Sequence, residues 1–101
     1  MLIYSVEVVI DKESENDFYN FMIEKHIPNV LKTGCFISNT IRKKVNKNPL
    51  ENSKYVFDYY CDSSEKLGIY TTKYSPALQE EVKVLFDGKI QSERYIYEFK
   101  M

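Results

Sequence analysis

The chain has 101 residues, enough for one domain with a modest core, and a net charge of −1 from 14 basic and 15 acidic side chains. That balance gives no electrostatic case for nonspecific nucleic-acid binding, and no apolar run approaches the ~20 residues of a membrane-spanning helix. Aromatic residues are 15% of the chain, nine of them tyrosine and none tryptophan, so amphipathic rings are expected at half-buried positions or around a cavity.

The first residues lack the basic flank and small-residue cleavage site of a signal peptide. Cys35 and Cys61 have no C-x-x-C spacing. Together these features read as reduced thiols in a cytoplasmic protein.

Leu2 to Ile10 alternates as a strand, with Tyr4, Val6, Val8 and Ile10 on an apolar face. Ile3, Ser5, Glu7 and Val9 form a mixed face. Ser14 is the expected N-cap of a helix running to about His26, with Phe18, Phe21, Met22 and Lys25 at the spacing of a buried stripe. Ile27–Pro28 is expected to end or kink that helix, Pro28 to open a short extra turn through Leu31, and Gly34 to stop it.

Phe36 to Val45 reads as the second strand, with Ile37, Asn39, Ile41, Lys43 and Val45 on one face. A polar hairpin occupies residues 46–53. Lys54 to Cys61 is the third strand, with Tyr55, Phe57, Tyr59 and Cys61 on one face.

Asp62-Ser-Ser-Glu65 has the form of a capping box. The helix behind it carries Leu67, Tyr70 and Tyr74. Ser75–Pro76 is expected to interrupt it, with Ser75 capping a second segment that carries Leu78, Val82, Leu85 and Phe86 and ends at Gly88. Ile90 to Phe99 closes the chain as a strand, with Tyr95, Tyr97 and Phe99 opposite Arg94, Ile96 and Glu98.

The order β-α-β-β-α-β is the ferredoxin-like split unit, an α+β fold with a four-stranded antiparallel sheet and helices on one face. The uncovered face still carries large aromatic residues, which is the mark of an interface. A homodimer formed through the sheets would cover it.

The run MLIYSVEVVID, then FYNFMIEKHIPNVLKTGCF, then YVFDYYCDSSEKLGIYTTKYSPALQEEVKVLFDGKI with a closing aromatic strand, resembles the domain-of-unknown-function family 4286, a group of short, mostly bacterial proteins. The most specific part is F-M-x-x-x-H-I-P-x-V-x-x-T-G-x-F. The resemblance covers essentially the whole chain. It implies a ferredoxin-like domain of the dimeric α+β barrel type and no activity, since the family has none assigned. The chain departs from the family at Phe18 and Phe21, where tryptophan is frequent, and at Tyr74, where histidine is frequent. The wider barrel group includes cofactor-free monooxygenases, haem-degrading enzymes, small isomerases and proteins without known catalysis, among which a fold does not choose.

His26 is the single histidine. In the last turn of a helix its charged form would be favoured by the dipole, and its ordinary pKa suits acid–base work at neutral pH. The functional reading is a general acid/base or a polar anchor for an anionic ligand; the bland one is a helix-end side chain bonding nearby carbonyls. No second histidine exists to complete a usual metal site. Thr33 and Gly34 are read as donors beside His26 or as a plain helix stop. Asn39 is read as a ligand-orienting amide or as an amide bonded to water. Tyr55, Tyr59, Tyr95 and Tyr97 are read as an aromatic lining for a flat ligand, or as interface and core packing. RNA recognition is disfavoured, because Lys54-Tyr-Val-Phe-Asp58 lacks the glycine of the RNA-recognition signature. Walker, Rossmann, zincin and serine-hydrolase motifs are absent.

The expectation is therefore a dimeric barrel that needs no cofactor and binds a small aromatic or amphipathic molecule or a partner protein. The alternative is a cofactor-free enzyme, monooxygenase- or isomerase-like, using His26 as acid/base.

Overall fold

The structure is a computed structural model and describes residues 1–100. Strands β1 Leu2–Ile10, β2 Ser38–Lys43, β3 Ser53–Cys61 and β4 Ile90–Glu98 form one antiparallel sheet in the order β2-β3-β1-β4. Two helices lie on one face: α1 over residues 15–32 and α2 over residues 64–85. The fold is the expected ferredoxin-like α+β unit, of the kind that builds dimeric α+β barrels. No helix among the described residues is long and apolar enough to cross a membrane.

Strand register sorts the side chains. Across β1 and β3, Tyr4 pairs with Tyr59, Val6 with Phe57 and Val8 with Tyr55. Alternation then aims these residues, with Ile10 and Cys61, at the helices. There they meet Phe18, Met22, Ile27 and Val30 from α1, Leu67 and Tyr70 from α2, and Phe86. Phe18 is wholly buried and packs edge-on against Phe57 and Phe86, with ring centroids 6.0 and 5.3 Å away. The second strand is shorter than expected. Phe36 leaves it to join a ring cluster in the core, and Val45 is almost fully exposed in the hairpin.

The α-helical bonding is interrupted before Pro28 and Pro76, as expected, and a new α-helical segment opens at each, but neither helix ends there. Residues Met22–His26 and Tyr70–Tyr74 instead wind as single π-type turns, and the α-helical path resumes at Ile27 and Ser75. The N–H of Ile27 donates to the Met22 carbonyl and that of Ser75 to the Tyr70 carbonyl, each five residues back. Pro28 and Pro76 come directly after these residues. A proline has no N–H to donate and its ring crowds the carbonyl four residues earlier. Widening the preceding turn relieves both problems without ending the helix. Ser75 is consequently not a cap. It is buried, and its Oγ accepts a hydrogen bond from Gln79 Nε2 at 2.7 Å.

The outer ends match expectation more closely. Gly34 and Gly88 take the left-handed conformation at φ 75° and 73°. The cap of α2 is Ser63, whose side chain accepts from the Lys66 N–H; the side chain of Ser14 makes no cap bond. Cys35 and Cys61 are buried free thiols.

Glu15 ties the start of α1 to the sheet. Its Oε1 accepts from Ser53 Oγ at 2.5 Å, and its Oε2 from Tyr55 OH and Lys43 Nζ, each at 2.6 Å. The Lys43 contact, then Ser53 and Tyr55, hold its carboxyl down at about 2. A carboxyl held below its ordinary value stabilises the fold above that ordinary value and ceases to do so as pH falls through the lowered one.

Two outcomes are expected. Phe18→Ala removes a ring from the centre of the core and costs about 3–5 kcal/mol, read from the urea midpoint. Glu15→Gln flattens the loss of stability between about pH 4.5 and 2 that the unaltered chain shows in acid denaturation.

Candidate functional site

The two π-type turns lie over the same face of the sheet, and residues of both line one small space. An extra residue in a turn rotates the side chains at its end and beyond it, here His26 of α1 and Ser75 of α2, while Tyr70 opens the second turn. His26 is 9% exposed and Tyr70 3%. Both line a small chamber with Tyr4, Tyr59, Gln79 and Arg94, over an apolar floor of Val6, Met22 and Phe57. Tyr4, Phe36, Tyr59 and Tyr70 form one ring cluster, with Tyr4–Tyr70 centroids 5.5 Å apart and Phe36–Tyr59 centroids 5.3 Å apart. Phe21 lies 6.3 Å from the His26 ring, centroid to centroid.

The chamber is about 20 Å³, room for roughly one water. Beside it, between α2 and β4, runs a cleft of about 370 Å³ with Pro76, Val82, Lys83, Ile90 and Ser92 on its walls. Gln79 and Arg94 line both spaces and so form the partition between them. The cleft exists because β4 is an edge strand that the helices fail to cover: Ile90 is its only half-buried residue and the others are exposed.

Two polar atoms of the chamber have no partner. His26 Nδ1 and Tyr59 OH are both buried and make no hydrogen bond. A buried polar group left in this state costs ~1–3 kcal/mol, so such groups in a native fold call for an explanation. Burial, and secondarily the Arg94 charge, lowers the pKa of His26 to about 4. The ring is therefore neutral at pH 7, with a nitrogen free to accept a proton or a hydrogen bond. Burial pushes the phenols of Tyr59 and Tyr70 up, so both are neutral donors. The expected dipole effect on His26 does not operate. The helix runs six residues further, to Lys32, and desolvation favours the opposite charge state.

The sequence-derived candidates divide. His26 and Tyr59 meet in the chamber. Thr33 does not reach it: its Oγ1 donates to the Val30 carbonyl at 2.7 Å and accepts from the Cys35 N–H at 3.3 Å, closing the end of α1. Asn39 pairs with Tyr59 across the ladder on the helix-facing side, and its buried Nδ2 lacks a partner, but it does not line the chamber. Tyr55 is engaged by Glu15. Tyr95 and Tyr97 lie on the opposite face of the sheet and are 39% and 49% exposed. Tyr55, Tyr59 and Tyr95 therefore do not line one cavity.

Sequence reasoning assigned no site role to Tyr4, Tyr70, Gln79 or Arg94. A signal for Arg94 was present, because it shares strand parity with Ile90 and Ile96 and so faces the helices. Gln79 had none, since its place depends on the unbroken course of α2. Among the described residues no group of three histidine, cysteine or carboxylate side chains is placed to hold a metal ion.

Solved structures share this architecture. An ethyl tert-butyl ether d (ethd) family protein from Bacillus halodurans superposes with a TM-score of 0.67 at 14% identity, over 99% of this chain and 100% of that one. An antibiotic biosynthesis monooxygenase gives 0.66 at 10% identity, over 100% of both chains. SnoaB, a cofactor-independent oxygenase from Streptomyces nogalater, gives 0.69 at 7% identity, over 99% and 93%. At such identities the likeness establishes the fold alone. No curated protein matches the chain. The family model described as Domain of unknown function (DUF4286) matches residues 1–99, and the chain belongs to that family.

Proposed function

We propose that the protein is a homodimer that binds a small organic molecule beneath its helices, in the cleft between α2 and β4 with its polar end toward His26. The observation that carries this reading is the pair of unpartnered buried atoms, His26 Nδ1 and Tyr59 OH, beside a cleft of ligand size. A ligand that moves the Gln79–Arg94 partition satisfies both atoms at once. The cleft volume falls within the roughly 300–1,000 Å³ of small-molecule pockets.

The dimer is supported by the face turned away from the helices. Ile3, Val9, Val56 and Tyr60 are only half-buried there, and Tyr95 and Tyr97 are exposed. A patch of this kind on a small protein is ordinarily covered by a partner. A second copy, meeting it face to face, would leave the cleft on each protomer open.

A second reading, catalysis without a cofactor, is favoured by one specific feature. A neutral imidazole with a free nitrogen next to an unpaired phenol is an acid–base pair in a site that excludes bulk water. His26 would take a proton from the bound molecule, and Tyr59 would donate to the oxygen that gains charge.

Three measurements test these statements. Light scattering at micromolar concentration should give twice the chain mass, and Tyr97→Asp should give a folded monomer; a monomeric unaltered protein removes the barrel. The C2 proton of the single histidine should titrate by NMR near pH 4; a midpoint above 6 would place the ring in solvent and end both readings of the site. Native mass spectrometry of protein from its own host should show an adduct that His26→Gln loses while keeping its helical circular dichroism. If turnover of that compound survives in His26→Gln, the catalytic reading fails and binding stands.

A further inference from the structure

Arg94 is a cation without a counter-ion. The other arginine, Arg42, pairs with Asp58 at 3.1 Å, whereas Arg94 makes only a hydrogen bond from Nη1 to Ser92 Oγ at 3.2 Å and no ion pair among the described residues. Arg94 is exposed. It stands on the helix-facing side of β4, opposite Val6 in the ladder, and forms part of the partition between cleft and chamber.

The surroundings add donors. Lys83, Gln79 and Ser92 line the cleft, and Glu80 is its single acid. Within the chamber, the groups that face His26 are the phenols of Tyr4 on β1, Tyr59 on β3 and Tyr70 on α2, and the guanidinium of Arg94 on β4; none is an anion at neutral pH. Pro76, Val82 and Ile90 supply apolar wall. The site thus has two positive charges, Arg94 and Lys83, against the single acid Glu80, with hydrogen-bond donors around them and an apolar flank.

Resting on the small-molecule reading above, we infer that the ligand is an organic carboxylate of about one ring, with its carboxylate on the Arg94 guanidinium and its apolar body against Pro76, Val82 and Ile90. A guanidinium presents two parallel N–H groups that match the two oxygens of a carboxylate, and Arg94 has no ion-pair partner among the described residues to compete for them. The bound anion opposes the field that Arg94 exerts on His26, the smaller of the two causes of its lowered pKa after burial.

The test compares benzoate and phenylacetate with their neutral amides, benzamide and phenylacetamide, by calorimetry and by NMR of the His26 C2 proton. The carboxylates are expected to bind about tenfold or more tightly than the amides. They should also shift the His26 C2 resonance, and the amides should leave it nearer its ligand-free position. Arg94→Gln should abolish the preference for the acids, and Arg94→Lys should retain part of it; Arg94 is exposed, so both variants should fold as the unaltered chain does. Equal binding of acid and amide overturns the inference, as does no binding of either carboxylate. A neutral adduct retained from the host would also overturn it while leaving the small-molecule reading intact. Carboxylate-induced shifts that map away from α2 and β4 would count against both.

Discussion

A proline nitrogen carries no hydrogen, and the placement of two such nitrogens shapes everything around the site. Pro28 and Pro76 each stand two residues beyond the last residue of a π-type turn. Each helix keeps its course by bonding five residues back instead of four. The packing under the helices justifies this local concession. Ile27 and Val30, beyond the first turn, are buried and extend the stripe begun by Phe18 and Met22. Ser75, just beyond the second, is buried as well. A clean break at either proline would forfeit apolar burial worth about 1.5–3 kcal/mol for each large side chain.

The same two turns bring polar groups where a core would normally admit none. The chamber joins a neutral imidazole, three phenols, a hydroxyl, an amide and a guanidinium on a floor of valine, methionine and phenylalanine. Low polarity acts in opposite directions on these groups. It strips the proton from His26 and holds the protons on Tyr59 and Tyr70, so the site at neutral pH is an acceptor among donors. Arg94 reinforces the first effect and relieves part of the second for Tyr70. The chamber thus sets one positive charge among several neutral hydrogen-bonding groups.

The sheet separates two tasks that the composition runs together. Its helix-facing side holds Tyr4, Tyr55, Phe57 and Tyr59 in packed ring contacts, while Tyr95, Tyr97 and Phe99 belong to the other side and stay largely in solvent. Chamber rings and the rings of the uncovered face are thus distinct sets, and their mutational effects should add. The edge strand β4 serves both sets. Arg94 looks into the cleft and Tyr95, its neighbour, looks away.

Much of this was legible in the residue order. Alternation in the strands, the stripe from Phe18 to Met22 and the stops at Gly34 and Gly88 depend on neighbours within a few positions, and they led to the ferredoxin-like order and to His26 as the residue to watch. What only the tertiary structure decided is how the helices pass their prolines and which distant side chains meet. Whether a helix ends or widens at Ile27–Pro28 depends on the gain from burying Val30 in the core, and local sequence carries no term for that gain. For the same reason the charge state of His26 came out opposite to the local expectation. A helix-end dipole can be read from position, but desolvation can be read only once Tyr4, Tyr59, Tyr70 and Arg94 have closed around the ring.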